Sequence, residues 1–429
     1  MTQTMKKASP LSAGLVNASI LLYTVWLLLP AVQTTGRAAT GALAVGVFGL
    51  GVLLDAAYLK KRWAWLLLRA CCAAAMPLVL WFFLSRGGGN FAGFYVQQAM
   101  FWFPLVFCAY ARERGDGRMW RWLKPLLLAV MVATTLTTVG WLVEGMLRGG
   151  RVYAYSRSLG SGEPGREAYL KELMLRNIGG YDFVYATVLS LPLTCIGVQR
   201  ARGWRRAGYA AFLGAQVVMI VLSQYTYAMV FAAAILAVEL TALAVRAVSR
   251  GRVKMGASLL WGLVPVVAVY LLRFPLVTLA ADICEGLGLS NFAFSFQQLL
   301  LALEGGATDE ASRLGHYLLA LDGLRASPLV GSMFGGEKLL SQHSDILDLL
   351  SGMGLLGTAA VGTMLWAMGR GCARGLRASA ERPQLLVMFA ALAATALLGT
   401  VVYSRDIMLV FAMGLMLVLE GKRDNSPAA

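Results

Sequence analysis

The sequence predicts an all-α, polytopic membrane protein of about twelve transmembrane helices with two long extracytoplasmic loops. Three observations predict it. Hydrophobic residues make up 58% of the 429 positions and charged residues only 14%, against about half and a quarter in a soluble globule. Continuous apolar runs that suit spans of about 20 residues recur along the chain, in place of the alternation a β-barrel needs. Basic residues gather in every second connector, the pattern of the positive-inside rule.

Taken in order, the runs fall at 12–33, 39–59, 63–84, 91–110, 125–147, 180–198, 207–222, 225–245, 255–276, 345–368, 383–401 and 404–420. Lys60, Lys61 and Arg62 follow the second. Arg112, Arg114, Arg118, Arg121 and Lys124 follow the fourth, and Arg200, Arg202, Arg205 and Arg206 the sixth. Arg246, Arg250, Arg252 and Lys254 follow the eighth, and Arg370, Arg374, Arg377 and Arg382 the tenth. With Lys6, Lys7, Lys422 and Arg423 in the tails, these groups hold most of the 38 Lys and Arg residues. That face is expected to be cytoplasmic, with both termini inside. The net charge of +16 then reflects topology, and no nucleic-acid partner is expected. The first apolar run is long and is expected to stay as an anchor, with no cleavable signal peptide. Residues 1–429 read as a single transmembrane domain whose main partner is the lipid bilayer.

Cys71, Cys72, Cys108, Cys195 and Cys372 lie in or beside apolar runs, and Cys284 stands in a loop. No CxxC pair occurs, so neither a disulfide framework nor a zinc site is expected. Ionisable residues inside the spans are few: Asp55, Arg69, Glu144 and Glu239. Arg69 and Glu239 are deep enough to mark a pathway, but a proton relay normally shows more such groups.

The outer connectors are mostly tiny, at 34–38, 85–90, 223–224 and 402–403. Two are long. The first, 148–178, carries Arg148, Arg151, Arg157, Arg166, Lys171 and Arg176 against Glu163, Glu167 and Glu172. Positive charge outside departs from the usual bias; either a long loop escapes that bias, or the loop holds an anion. The second, 277–344, contains both histidines, His316 near its middle and His343 at its end. Within the loops, 167–176 reads as helix. The stretch 291–303 reads as an amphipathic surface helix or a short re-entrant segment. A helix over 312–324 is expected to place Arg313, His316 and Tyr317 on neighbouring turns and to end before Ser327-Pro328. The glycines of 331–336 read as a hinge.

The stretch 339–357, LLSQHSDILDLLSGMGLLG, carries the chemistry. Ser344 suits a helix cap with Asp345 in the first turn. His343, Asp345 and Asp348 then lie at the water-facing mouth of a span. His343 is the first candidate for general base or acceptor positioning; the alternative is a capping or interfacial histidine. Arg313 and Arg325 are candidates for holding an anion, since arginine's planar fork suits phosphate. Arg151, Arg176 and Arg273 follow as further substrate contacts. Asp345 and Asp348 either orient His343, bind sugar hydroxyls, or cap the helix. A metal on His343, Asp345 and Asp348 would have few ligands, and no DxD pair occurs to hold one for a nucleotide sugar. No metal and no cofactor is expected.

These motifs resemble the O-antigen and capsular polysaccharide polymerases, the Wzy-type enzymes, a family related to the O-antigen ligases. The resemblance rests on His343-Ser344 followed by an apolar pattern ending in Gly354-x-x-Gly357. It rests also on an Arg-bearing helix followed by Pro328-Leu329-x-Gly331, and on NIGGYDFVYATVLSLP at 177–192. Arg-x10-Gly spacings occur at Arg151 to Gly162 and Arg325 to Gly336. Where the ligase branch carries a Ser-Arg pair, this chain reads Ser223-Gln224-Tyr225, which favours the polymerase side. The resemblance implies a glycosyltransferase of the bacterial cytoplasmic membrane, acting at its outer face on polyprenyl-pyrophosphate-linked glycans. Flippase and chain-length regulator proteins are the candidate protein partners. Ligase-type transfer to another acceptor, and a non-enzymatic flippase or transporter, are the alternatives.

Overall fold

A computed structural model of the protein describes residues 9–60, 104, 106–107, 110, 117–149, 167–248, 264, 267, 271–286, 290–303, 309–332, 341, 343–378, 382–399, 407 and 409–414. Among the described residues every regular element is an α-helix. In chain order they are α1 Pro10–Leu28, α2 Pro30–Leu53, α3 Ala56–Leu59, α4 Gly117–Gly149, α5 Glu167–Leu175 and α6 Tyr181–Arg200. There follow α7 Trp204–Ser223, α8 Thr226–Val248, α9 Arg273–Gly286, α10 Ser290–Leu303, α11 Asp309–Ala326, α12 Asp345–Ala378 and α13 Arg382–Leu398. Six of these contain a segment long and apolar enough to cross a membrane, and α2 makes a seventh if its bent halves count as one span. The chain is a multi-pass membrane protein. The expected runs 63–84, 91–110, 255–276 and 404–420 lie largely outside the described residues, as does Arg69.

The first pair of helices departs from the expected boundaries. The sequence suggests a connector at 34–38, but α1 already ends at Leu28 and α2 starts at Pro30. Proline has no N–H to continue α1 and is pre-shaped for the first position of the next helix. The Leu28 carbonyl at this break accepts a 3.0 Å hydrogen bond from Thr134 Oγ1 of α4. The chain then turns again, by 89°, between Pro30–Gly36 and Ala39–Leu53. The second half of α2 packs antiparallel on α1 through small residues. Ser12 Oγ donates to the Gly51 carbonyl at 2.7 Å, and Ser19 Oγ to that of Ala44. The Trp26 ring lies where a side chain on Gly41 would stand. Small residues let membrane helices approach closely where burying apolar surface gives no drive.

The expected span at 125–147 matches the apolar segment Trp122–Arg148 and lies inside a longer helix: α4 begins at Gly117 and carries Pro125 inside it. A proline removes one backbone bond, and membrane helices tolerate it where neighbours make up the loss. Three threonines of α4 then hold the segment leading into α6. Thr137 Oγ1 donates to the Asn177 carbonyl at 2.6 Å, Asn177 Nδ2 donates to Thr134 Oγ1, and the Gly179 N–H donates to Thr138 Oγ1 at 2.8 Å. Asn177 adopts the left-handed conformation, φ 60°, which asparagine tolerates.

The centre of the bundle is α6, buried along nearly its whole length from Phe183 to Cys195. It packs against α7, α8 and α13. Its polar side chains are satisfied inside the helix or by α7: Thr187, Ser190 and Thr194 donate to carbonyls of the preceding turn, and Gln216 Nε2 donates to Ser190 Oγ at 2.7 Å. Asp55 is buried as well. It caps α3 through the Tyr58 N–H and accepts from Tyr110 Oη at 2.8 Å. Glu239, in α8, is buried and receives a long contact from Gln199 Nε2 at 3.4 Å.

The expected helices at 167–176, 291–303 and 312–324 appear as α5, α10 and α11. Much of the stretch 277–344 is therefore helix, with α9, α10 and α11 packed in series.

Candidate functional site

Two glycines build the site. α12 is broken at Gly354, whose φ of 61° and ψ of −170° end one half-helix and start another. Before α12, the turn 327–332 follows α11 and contains Gly331 at φ 74°. The turn sits in the break. The N–H groups of Leu355 and Leu356, which open the second half-helix, donate to the carbonyls of Pro328 (2.9 Å) and Leu329 (3.0 Å). Ser332 Oγ donates to the Ser351 carbonyl at 3.2 Å. A Cβ on Gly331 would stand 2.5 Å from backbone atoms of Gly352 and Gly354, and one on Gly354 would meet Leu329 and Gly331 equally closely. Both glycines are thus required by positive φ and by backbone contact. The orphan groups of a helix break, costly inside a membrane, are satisfied here by a protein turn.

This clamp joins two motifs that lie far apart in the sequence, Pro328-Leu329-x-Gly331 and Gly354-x-x-Gly357. It also sets the level of both histidines. α11 and the first half of α12 both run toward the clamp. His316 and His343 lie nearly equal numbers of residues before it, so a rise of about 1.5 Å per residue brings them to the same height. Their rings meet edge to face, centroids 5.1 Å apart at 62°. His316 is exposed and His343 half-buried.

The loop bearing His343 is tied down from α12. Asp348 is buried, and its Oδ1 accepts from both the Ser341 N–H (2.6 Å) and Ser341 Oγ (2.7 Å). Ser341 Oγ in turn accepts from the N–H groups of His343 and Ser344 at 3.1 and 3.0 Å. Ser344 Oγ caps the helix by accepting from the Leu347 N–H at 3.3 Å. Asp345 is buried, and its N–H donates to the Gly399 carbonyl at 3.2 Å, which ties the mouth of α12 to the end of α13. Of the roles open to the two aspartates, Asp348 serves the loop that carries His343.

The remaining candidates separate. Arg313 and Tyr317 lie on α11 beside His316, one turn before it and one residue after it, and Tyr317 is half-buried. Arg325 lies in the last turn of α11, at the clamp, about 14 Å of helix away from His316. Its Nη1 pairs with Asp322 Oδ1 at 2.9 Å, both groups being exposed. Arg176 follows α5, which packs against α2, and it pairs with Glu172 one turn back. Arg273 is the first residue of α9. Arg151 lies outside the described residues, as do the expected hinge positions 333–336. His316 belongs with His343 although sequence reasoning did not nominate it. The signal was there: it is the only other histidine in the chain.

Two imidazoles in contact, one of them open to solvent, offer ring nitrogens that can donate or accept hydrogen bonds. Among the described residues no three His, Cys, Asp or Glu side chains gather to hold a metal ion. No protein-family model and no curated protein sequence matches this chain.

Proposed function

We propose that the protein is a Wzy-type membrane glycosyltransferase that polymerises polyprenyl-pyrophosphate-linked oligosaccharide repeat units. It works at the outer face of a bacterial cytoplasmic membrane, in a twelve-span frame with both termini inside. The observation that carries this reading is the glycine clamp. It brings His316 to His343 at the mouth of α12 and puts Arg313 one turn away along α11. The two motifs it interlocks are two of the three on which the resemblance to this family rests.

The chemistry follows from the donor. Pyrophosphate is a good leaving group, so a glycan on polyprenyl pyrophosphate is already activated. A hydroxyl oxygen of the incoming lipid-linked repeat unit attacks the anomeric carbon of the growing chain. A new glycosidic C–O bond forms as the bond from that carbon to the pyrophosphate oxygen breaks. The hydroxyl proton passes to His343, with His316 beside it, and polyprenyl pyrophosphate departs with the bonding pair. Guanidinium groups stabilise the departing charge. Arg313 is the first choice by position, and Arg325, Arg151, Arg176 and Arg273 are further contacts along the glycan or its lipid. Tyr317 offers a ring and a hydroxyl to sugar, while Asp348 holds the His343 loop and Asp345 the mouth of α12.

The purified full-length protein, incubated with a lipid-linked repeat unit, should yield a ladder of lengthening products. Glycan appearing only on a different added acceptor would point to ligase-type transfer. Repeat units moving across a vesicle membrane without any new bond would point to a flippase, and would overturn the enzymatic reading.

A further inference from the structure

A second site lies where α6 passes into α7. There α4, α6 and α7 enclose a cleft of about 740 Å³, within the range of about 300–1,000 Å³ typical of small-molecule sites. Its walls are apolar and come from Leu127, Met131, Leu193, Phe212 and Val410. Its lining also includes Lys124, Arg200, Arg202 and Arg205, with no carboxylate among the described residues. Trp204 stands at the rim, 80% exposed, with the Arg205 guanidinium 5.6 Å from its ring centroid. The N-terminus of α7 opens at the same rim, preceded by Gly203 and capped by no side chain. Tyr209 can lie against α6 because Gly197 has no side chain: a Cβ there would come within 2.6 Å of the ring.

These features fit one kind of ligand. Four cations and an uncapped helix N-terminus select an anion, and the planar forks of arginine suit phosphate oxygens. The apolar walls select a hydrocarbon chain. A tryptophan at the rim is the usual marker of the membrane–water interface. A free phosphate would leave the walls unfilled, and an uncharged lipid would not match the positive charge of Lys124, Arg202 and Arg205. We propose that this cleft binds an anionic phospholipid, with its phosphate among Arg200, Arg202, Arg205 and Lys124 and one acyl chain laid between α4, α6 and α7. The positive-inside rule assigns this end to the inner leaflet, where anionic lipids and basic pockets between helices meet. The site shares no residue with the His343 group.

The test uses the full-length protein in detergent, with lipid retention read by native mass spectrometry and melting temperature read in parallel. Phosphatidylglycerol should be retained and should raise the melting temperature, whereas phosphatidylcholine should wash off and millimolar inorganic phosphate should neither stabilise nor compete. Arg205→Gln should lower phosphatidylglycerol retention about five-fold, and adding Arg202→Gln about five-fold again. Both side chains are exposed, so the fold should survive. A phosphatidylglycerol carrying a photoreactive acyl chain should label peptides of α4, α6 or α7. Lys60→Gln, in another basic connector, should leave retention unchanged. Equal retention of both lipids, stabilisation by phosphate alone, an equal loss with Lys60→Gln, or labelling confined to other helices would each overturn the proposal.

Discussion

The two sites of this molecule differ in what encloses them and in what chemistry they carry. The cleft at α6–α7 has volume, apolar walls and a cationic rim, but among the described residues its lining includes no histidine or carboxylate. The junction of α11 and α12 has two imidazoles in contact and a buried carboxylate behind them, on a frame fixed by backbone hydrogen bonds. The first arrangement suits holding a lipid and the second suits moving a proton. The difference also shows in how each is built. The cleft depends on one small residue, Gly197, where a ring lies over a helix. The junction depends on Gly331 and Gly354 meeting backbone to backbone, so it tolerates far less change.

The largest effect should come from Gly354→Val. The side chain needs a left-handed φ and overlaps the backbone of the 327–332 turn. The cost should be about 3 kcal/mol or more, read as lost yield or a lowered melting temperature in detergent. Gly197→Ala meets first the Tyr209 ring, a side chain and not backbone, and should cost clearly less. Equal losses would erase the contrast between the two sites.

Next comes His343→Ala. With the imidazole half-exposed, melting should hardly change, while polymer formation should fall about 10²–10⁴-fold. An unchanged ladder would remove His343 from the chemistry.

Asp348→Ala strips the Ser341 N–H and hydroxyl of their buried acceptor. It should cost about 2–3 kcal/mol and lower turnover by loosening the His343 loop. Asp348→Asn keeps one acceptor oxygen and should recover part of both. If the asparagine variant restores stability but no turnover, the carboxylate charge itself matters to the reaction.

The smallest effect should be that of Arg325→Gln. Its exposed pair with Asp322 contributes about 0.2–1 kcal/mol, and its place at the clamp predicts a loss of turnover under ten-fold. Arg313→Gln, next to His316, should lose more. The reverse order would move the diphosphate to the clamp end.

Much of the helical frame was legible because periodicity and stop signals are local. Ser327-Pro328 ends α11 as its chemistry demands, and the run from Ser344 caps and starts α12. The first connector was half legible: the 89° turn between Gly36 and Ala39 falls in the expected 34–38, but hydropathy runs straight through Leu29-Pro30, where the backbone breaks as well. The early start of α4 was hidden by Pro125, which reads as a boundary but sits inside a helix supported by its neighbours. The site was half legible. His343 stood out by rarity, and both glycine motifs were visible. Their contact was not, since nothing local states that the carbonyls of Pro328 and Leu329 will meet the N–H groups of Leu355 and Leu356. For the same reason the sequence left Asp348 open between orienting His343, binding sugar hydroxyls and capping the helix, where the structure shows its Oδ1 holding Ser341. The cleft at α6–α7 was read only as a topogenic charge cluster, because its apolar walls come from three separate helices and from Val410.

The central claim is that these two sites face opposite sides of one membrane, with the imidazoles outside and the cationic cleft inside. Single cysteines at 343 and 205, in a background without the six native cysteines, test it directly in intact cells. A membrane-impermeant maleimide should label the His343→Cys protein at once and the Arg205→Cys protein only after the cells are opened. Labelling of position 205 in intact cells, with position 343 protected until lysis, would contradict the account.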